Sequence, residues 1–186
     1  SLTRIDAFLS KYPNLKSVNF VDGVAVKNYD YYLNKIDWEF LSTEVEAGFI
    51  HGDLQFDNII IDNSGNFTLI DWRSDFAGLT NVGDIYYDLA KMYGGLILSY
   101  ALIKNHCFDL EIDNDNAVLS VPNIDYISVY EKKLINFIIS NNYSLKKVKM
   151  LIPIIYWNMA PLHTAPFDLF LWYLGIKLFE ENEKIL

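Results

Sequence analysis

A change of hydrophobic periodicity near the middle of the chain constrains the fold more than any other feature. Between Phe49 and Trp72, short apolar runs alternate with turn residues, which is typical of short strands. Beyond Asp84 the apolar residues recur at helical spacing almost to the end. That spacing predicts helices over Asp84–Lys104, Ile124–Asn141, Ser144–Ala160 and Phe167–Glu183. A small β-containing centre followed by helices indicates an α+β fold in which helix dominates.

The first part of the chain combines short helices with one hairpin. Leu2–Leu9 has helical spacing, and Tyr29–Leu41 predicts helix in two short pieces. Val18–Val26 alternates around Asp22-Gly23, a pair that favours a tight primed turn. Further along, Phe108–Asn123 is the longest polar gap, and we expect it to be a flexible loop.

The length of 186 residues is that of a single domain. We divide it into a lead-in of helices and a hairpin over 1–48, a core of short strands over 49–95, and a helical subdomain over 96–186. A hydrophobic share of 52% excludes intrinsic disorder, and a net charge of −9 argues against binding to nucleic acid.

Other classes are excluded by what the composition lacks. The single Cys107 excludes a disulfide within the chain and a cysteine-based zinc cluster, and it suits a reducing compartment, so we expect a cytoplasmic protein. With three His and no H-E-x-x-H pattern, the sequence does not favour a zinc enzyme. No uninterrupted apolar run reaches about 18 residues, so we expect no membrane-spanning helix.

The stretch from His51 to Asn58 carries the chemical signal. It places His51, Asp53 and Asn58 in the pattern H-x-D-x-x-x-x-N, which is the catalytic-loop arrangement of kinase-type phosphotransferases. A carboxylate at Asp53 could accept the proton of an attacking hydroxyl. The amide oxygen of Asn58 could bind Mg²⁺ without adding charge. We expect His51 to brace the loop rather than to carry a proton.

A predicted hairpin follows this stretch and adds a second acid. Ile59–Ile61 and Phe67–Ile70 read as strands around the four-residue loop Asn63–Asn66. In that register Asn58 lies opposite Asp71, which would put an amide and a carboxylate side by side. Two oxygen ligands of this kind suit Mg²⁺. Each residue also has a plainer interpretation: Asp53 and Asp71 as turn residues, and Asn58 as an ordinary residue before a strand.

Together these motifs resemble the aminoglycoside phosphotransferase and choline kinase superfamily. The resemblance is carried by His51–Asn58, by Ile70-Asp71-Trp72, and by Gly83-Asp84 leading to Asp88-Leu89-Ala90. It implies that Asp53 is the catalytic base and that Asn58 and Asp71 hold Mg²⁺, with ATP or GTP as phosphate donor. It also implies that the helix of Asp88 orders the catalytic loop. The string Leu69–Lys91 is similar to a bacterial subgroup found in surface-polysaccharide or sugar-nucleotide contexts.

The same resemblance implies a protein-kinase-like fold, of which this chain would be the large C-terminal lobe. The sequence has no Gly-rich phosphate loop. Val24–Lys27 is similar to the V-A-I-K strand of kinases, but too few residues separate it from Asp53 for the rest of a small lobe. We therefore expect the N-terminal lobe to lie upstream of Ser1 in the natural protein and to be its missing partner. The isolated chain is then expected to bind Mg·ATP weakly.

In this superfamily the acceptor lies between the catalytic loop and the C-terminal helices. By composition, the candidate substrate-binding residues are Asp75, Tyr156, Trp157, His163, Asp168 and Trp172. Aromatic and acidic groups could hold a cation such as choline or an amino alcohol, and a sugar or aminoglycoside hydroxyl remains equally open. Aromatic residues at helical spacing are more often core, and we favour that interpretation for the tryptophans.

Three interpretations follow for the function. The first is a small-molecule kinase in which Asp88 and His51 support the site. The second is a non-catalytic kinase-like module that binds a ligand or a fused partner domain. The third, a helical protein with a chance motif, is made improbable by the predicted pairing of Asn58 with Asp71.

Overall fold

The computed structural model describes residues 2–43, 47–80, 82–122, 124 and 127–185. The helices are α1 (Leu2–Lys11), α2 (Tyr29–Lys35), α3 (Trp38–Thr43), α4 (Ile85–Ile97), α5 (Tyr100–Lys104), α6 (Ile127–Ser140), α7 (Leu145–Met159) and α8 (Phe167–Ile185). The strands are β1 (Phe20–Val21), β2 (Val24–Ala25), β3 (Ala47–Gly48), β4 (Ile59–Ile61), β5 (Phe67–Leu69), β6 (Gly83–Asp84), β7 (Asp109–Asp113) and β8 (Asn116–Ser120). The prediction of an α+β fold with mostly helix is confirmed.

The described residues form two compact units. The first comprises residues 1–36, 106–122 and 152–186, and the second comprises 37–105 and 123–151. The second unit contains the whole segment 49–95 in which the catalytic residues are predicted.

The sheet of the first unit has the strand order β2-β1-β8-β7. β1 pairs antiparallel with β2 across Asp22 and Gly23, whose φ angles of 50° and 74° confirm the primed turn. The carboxylate of Asp22 accepts hydrogen bonds from the Leu119 N–H (2.7 Å) and from Lys177 Nζ (2.6 Å). The turn residue therefore fixes the hairpin to β8 and to α8.

The prediction of a flexible loop over Phe108–Asn123 is wrong for residues 108–122, while Asn123 lies outside the described residues. β7 and β8 form an antiparallel hairpin in which Leu110 pairs with Leu119 and Ile112 with Ala117. In each strand these apolar residues recur with a period of two, as expected for a strand. The prediction counted the many Asp and Asn residues of this segment and overlooked that period. Pairing with β1 on the other side of β8 then completes the sheet.

Aromatic rings fill the core of the first unit. Trp157 and Phe179 stack with centroids 5.5 Å apart, and Tyr29 meets Trp157 edge-on at 4.9 Å. The Trp157 Nε1–H donates to the main-chain oxygen of Trp172 (3.2 Å). Gly175 leaves room for that indole, because a Cβ at this position would lie 2.5 Å from Nε1.

Short strand pairs frame the catalytic segment in the second unit. β3 pairs antiparallel with β6, and β4 with β5. Gly83 in β6 allows the close approach of Ile50, since a Cβ there would lie 2.2 Å from Ile50 Cδ1. Asp84 then caps α4 by accepting from the Tyr86 N–H (3.1 Å). The pair β3–β6 thereby fixes two points of the chain. One is the end of β3, from which the chain runs into residues 51–58, and the other is the start of α4.

The predicted helix Asp84–Lys104 is two helices in the structure. α4 ends at Ile97, and α5 begins at Tyr100 after Ser99, whose backbone is extended. The glycines Gly94 and Gly95 near the end of α4 lower helix propensity there, which periodicity alone does not show. No helix in the described ranges is both long and apolar enough to cross a bilayer.

Candidate active site

The predicted catalytic loop, residues 51–58, is held through its backbone by α4. The carboxylate of Asp88 is buried and accepts from two successive N–H groups, that of His51 (2.6 Å) through Oδ2 and that of Gly52 (2.9 Å) through Oδ1. Hydrogen bonds from backbone N–H groups to a buried carboxylate are short and strong. Asp88 therefore occupies the supporting position that the motif predicts, behind the loop.

Gly52 is required by the conformation of this loop. Its φ is +80°, a left-handed value that residues with a Cβ rarely adopt. A Cβ at Gly52 would also lie 2.6 Å from Arg73 Cβ. The two segments meet because the Arg73 N–H donates to the main-chain oxygen of His51 (3.0 Å). The glycine therefore lets the segment after β5 approach the catalytic loop.

His51 connects the same two segments through its ring. Nδ1 accepts from the Asp53 N–H (3.2 Å), which leaves Nε2–H to donate to the main-chain oxygen of Ile70 (2.8 Å). The ring is buried and packs against Trp72 with centroids 4.7 Å apart. Both nitrogens are thus engaged, as expected for a bracing residue.

Asp53 and Asn58, the predicted base and metal ligand, are in contact. Asn58 Nδ2 donates to the main-chain oxygen of Asp53 (2.9 Å) and, at 3.4 Å, to its Oδ2. The same Oδ2 accepts from Gln55 Nε2 (3.2 Å). Because both amide hydrogens of Asn58 are directed to Asp53, its Oδ1 is the atom left to bind a cation.

The register of the hairpin differs by one residue from the prediction. Ile59 pairs with Leu69, and the Ile70 N–H donates to the main-chain oxygen of Asn58 (3.0 Å), so Asn58 lies opposite Ile70 and not opposite Asp71. Asp62 pairs with Asn66 across a three-residue loop that ends at Gly65, whose φ is +82°. Gly65 adopts the left-handed conformation that this shorter turn needs. The alternation of apolar and polar residues in the strands does not distinguish a three-residue loop from a four-residue loop.

Asp71 is therefore next to the residue that pairs with Asn58 and is not itself in the cross-strand pair. It is exposed, and it stands between Ile70, which is bonded to Asn58 and His51, and Trp72, which packs on His51. Its φ of +60° is uncommon for a residue with a Cβ, although Asp adopts it more readily than most. The chain turns at Asp71 as it leaves the hairpin.

The donor set fits Mg²⁺ chemically. Asn58 Oδ1 and the Asp71 carboxylate are oxygen donors with one negative charge between them, and Mg²⁺ prefers few protein carboxylates and keeps several waters. Across the described ranges, no group of three or more His, Cys, Asp and Glu side chains could hold a metal ion. A site of this kind would depend on the nucleotide and water for its other ligands.

Lys91 is a site residue that the sequence analysis missed. Its Nζ lies 2.7 Å from Asp53 Oδ1, and only 9% of its side chain is exposed. The available signal was its spacing: Lys91 is three residues after Asp88 on α4, so both side chains lie on one face of the helix. Asp88 holds the loop backbone, and Lys91 holds the carboxylate of Asp53.

The structure places four of the six candidate substrate-binding residues in two groups. Asp75 belongs to the second unit, where it is exposed and accepts from the Gly78 N–H (3.0 Å) in a short turn. Trp157, His163 and Trp172 belong to the first unit. The tryptophans are 2% and 1% exposed, which supports the core interpretation, and His163 lies edge-on to Phe167 at 4.8 Å.

The two other candidates are also enclosed in the first unit. Tyr156 is buried, and burial raises the pKa of its hydroxyl far above the ordinary value. Asp168 is fully buried, with its carboxylate accepting from the Tyr12 hydroxyl (2.7 Å) and pairing with Lys11 (3.4 Å). These contacts give Asp168 a structural role within that unit.

A small cavity of about 20 Å³ adjoins the catalytic loop in the second unit. It is lined by His51, Arg73, Asp75, Phe76 and Thr80, among others. Such a volume holds about one water molecule. It is too small for an amino alcohol or a sugar, so it does not define the acceptor.

Comparison with known proteins agrees with the motifs. Residues 20–105 match the family model APH, described as the phosphotransferase enzyme family. The matched segment is somewhat less than half of the chain, and it includes the catalytic loop, the β4–β5 hairpin, Asp71 and α4. This match confirms the resemblance to the aminoglycoside phosphotransferase and choline kinase superfamily. No curated protein and no solved structure gave a significant match.

Proposed function

We propose that this chain carries the catalytic base and the magnesium-binding residues of a small-molecule kinase. Such an enzyme moves the γ-phosphate of ATP or GTP to a hydroxyl group. The observation that carries the proposal is the contact of Asp53 with Asn58, on a loop whose N–H groups are held by the buried Asp88. The match of residues 20–105 to the phosphotransferase enzyme family model supports the general reaction.

Asp53 is assigned the role of general base. An ionised carboxylate has about four lone-pair sites, and the contacts with Lys91, Gln55 and Asn58 use three of them. The remaining site would accept the hydrogen bond of the acceptor hydroxyl. The proton of the acceptor hydroxyl passes to Asp53 as the new O–P bond forms and the bond from phosphorus to the leaving nucleoside diphosphate breaks. General-base assistance of this kind contributes about 10²–10⁴ in rate.

Asn58 and Asp71 are assigned to Mg²⁺, with Asn58 oriented by its bonds to Asp53. When bound, the ion would neutralise charge on the β- and γ-phosphates. The chain itself supplies positioning. Asp88 and His51 hold the loop in place, and the Ile70 N–H ties the segment of Asp71 to Asn58. Positioning matters here because phosphoryl transfer has little covalent chemistry for the protein to perform.

The acceptor that we propose is a small hydroxyl-bearing molecule such as choline, an amino alcohol, a sugar or an aminoglycoside. Asp75 is the proposed contact nearest in sequence to the site, and its exposed carboxylate would suit an amine or a sugar hydroxyl. We further propose a cytoplasmic location, where ATP is abundant. A panel of amines and sugars, scored by release of ADP, would identify the acceptor class.

Replacing Asp53 tests the proposal. In the full-length gene product, Asp53→Asn is expected to lower turnover by about 10²-fold or more, because the amide cannot take the proton. The dissociation constant for Mg·ATP, measured by calorimetry, should stay within about threefold. The matched control is Asp57→Asn, an exposed acid on the same loop, which should leave turnover nearly unchanged. Wild-type turnover in Asp53→Asn would exclude catalysis by Asp53. Nucleotide binding without any turnover in the unaltered protein would instead favour the non-catalytic module.

A further inference from the structure

Lys91 makes the shortest side-chain contact with Asp53. Its Nζ lies 2.7 Å from Oδ1, whereas the bonds of Gln55 and Asn58 to Oδ2 are 3.2 Å and 3.4 Å long. A bond in which both groups are charged is about twice as strong as a neutral one, and the other two contacts are near the upper limit of hydrogen-bond length. Of these three contacts, that with Lys91 therefore dominates the orientation of the carboxylate.

The surroundings make this ion pair unlike an ordinary surface pair. The Lys91 side chain is 9% exposed and that of Asp53 is 24% exposed, so solvent screens their attraction only in part. The helix that carries Lys91 is itself fixed at its start, where Asp84 caps α4 and pairs with the fully buried Lys147 (3.4 Å). The ammonium is thus presented from a rigid element.

We propose that Lys91 is a positioning residue for phosphoryl transfer, fixing the rotation of the Asp53 carboxylate so that a lone pair faces the acceptor hydroxyl. This inference rests on the proposed function of Asp53. Two side chains of α4, one turn apart, would then have different roles. Asp88 sets the path of the loop backbone, and Lys91 sets the direction of the reactive group. Loss of Lys91 should then affect the chemical step and leave the loop and the nucleotide in place.

The variant Lys91→Met tests this division, because Met is similar in length but has no charge and no donor. The control is Lys132→Met, an exposed lysine on α6 in the same unit. Each variant is made in the full-length gene product, alone and combined with Asp53→Asn. The kcat and the KM for Mg·ATP are measured by ADP release, with choline, ethanolamine, galactose, kanamycin and water as acceptors. Hydrogen exchange is followed at the amides of His51 and Gly52.

Lys91→Met is expected to lower kcat about 10–100-fold, the cost of a misplaced catalytic group, with the KM for ATP within about threefold. Lys132→Met should behave as wild type. Exchange at the His51 and Gly52 amides should not change, since Asp88 holds both. In the Asp53→Asn background, Lys91→Met should cause no further loss, because Lys91 acts through Asp53.

Three results would overturn the inference. These are a kcat within twofold of wild type in Lys91→Met, a further loss in the double variant, or faster exchange at His51 and Gly52 together with the loss of turnover. The last would show that Lys91 supports the loop as a whole. The proposed function fails separately. If Asp53→Asn retains turnover, the role of Asp53 is wrong, whereas an inactive Asp53→Asn with an active Lys91→Met removes only the role of Lys91.

Discussion

At the level of single residues, two left-handed backbone positions lie close to the hydrogen bond between the Arg73 N–H and the main-chain oxygen of His51. Gly52 has a φ of +80° and Asp71 a φ of +60°. The first conformation is easily adopted by glycine, while the second costs about 1 kcal/mol in a residue with a Cβ. Strain of this kind is often found where a side chain must be directed into a functional site. The sequence motif marks both residues but does not state why they are needed.

Gly52→Ala should destabilise the protein more than Gly65→Ala. Both glycines have φ near +80°, so each substitution costs about 1–2 kcal/mol in backbone conformation. Only at Gly52 would the new Cβ meet another residue, Arg73, at 2.6 Å, whereas Gly65 has open space. We expect the free energy of unfolding, measured with urea, to fall by about 1 kcal/mol more in Gly52→Ala. Equal losses would show that the approach of Arg73 imposes no packing constraint.

At the scale of elements, the β4–β5 hairpin shows how a turn sets the register. The carboxylate of Asp62 accepts from the N–H groups of Ser64 (2.8 Å) and Asn66 (2.9 Å) and from Asn66 Nδ2 (2.8 Å). These bonds close a loop of three residues. The side-chain period of two predicted strands at the right place but could not choose between loops of three and four residues. The error of one residue moved Asp71 out of the predicted pair with Asn58.

Protonation of Asp62 should weaken this hairpin. The bonds from the Asn66 side chain, first, and from the N–H groups of Asn66, Ser64 and Gly65 hold the pKa of Asp62 below its ordinary value. A lowered pKa in the folded state means that the stabilisation is complete above the unfolded pKa, near 3.9, and is lost as pH falls through the folded one. Asp62→Asn should therefore be less stable than wild type at pH 7, and the difference should shrink below about pH 4. A difference independent of pH, in urea unfolding, would contradict this.

At the scale of the whole molecule, local patterns predicted the elements better than the way the elements assemble. Periodicity located the long helices, and the motif singled out loop 51–58, whose catalytic role stays a prediction. The contact of Lys91 with Asp53 depends on how α4 packs against the loop, which spacing on α4 suggests but does not establish. The β7–β8 hairpin was missed because Asp and Asn residues hide its period of two, and the pairing of β8 with β1, far away in the sequence, adds support that no local pattern shows. Such non-local pairing leaves little trace in a short window.

A substitution at Trp157 tests whether this residue belongs to the core or binds substrate. Trp157→Phe removes the bond of Nε1 to the Trp172 oxygen and leaves part of the buried volume unfilled. We expect the free energy of unfolding to fall by about 1–3 kcal/mol, while kcat and the KM for the acceptor change less than threefold. A large change in the acceptor KM at unchanged stability would show that Trp157 binds substrate after all.

We propose that Asn58 and Asp71 bind one cation next to Asp53, the proposed base, and Mn²⁺ gives the sharpest test of this arrangement. Added with ATP to the isotope-labelled protein, this paramagnetic substitute for Mg²⁺ broadens the NMR signals of nearby nuclei. We expect the Asn58 side-chain amide and the backbone amides of Asp53 and Asp71 to broaden first, and we expect Asn58→Ala to weaken the effect at the two backbone amides. Broadening that begins elsewhere, or that affects Asp53 and Asn58 without Asp71, would contradict this arrangement.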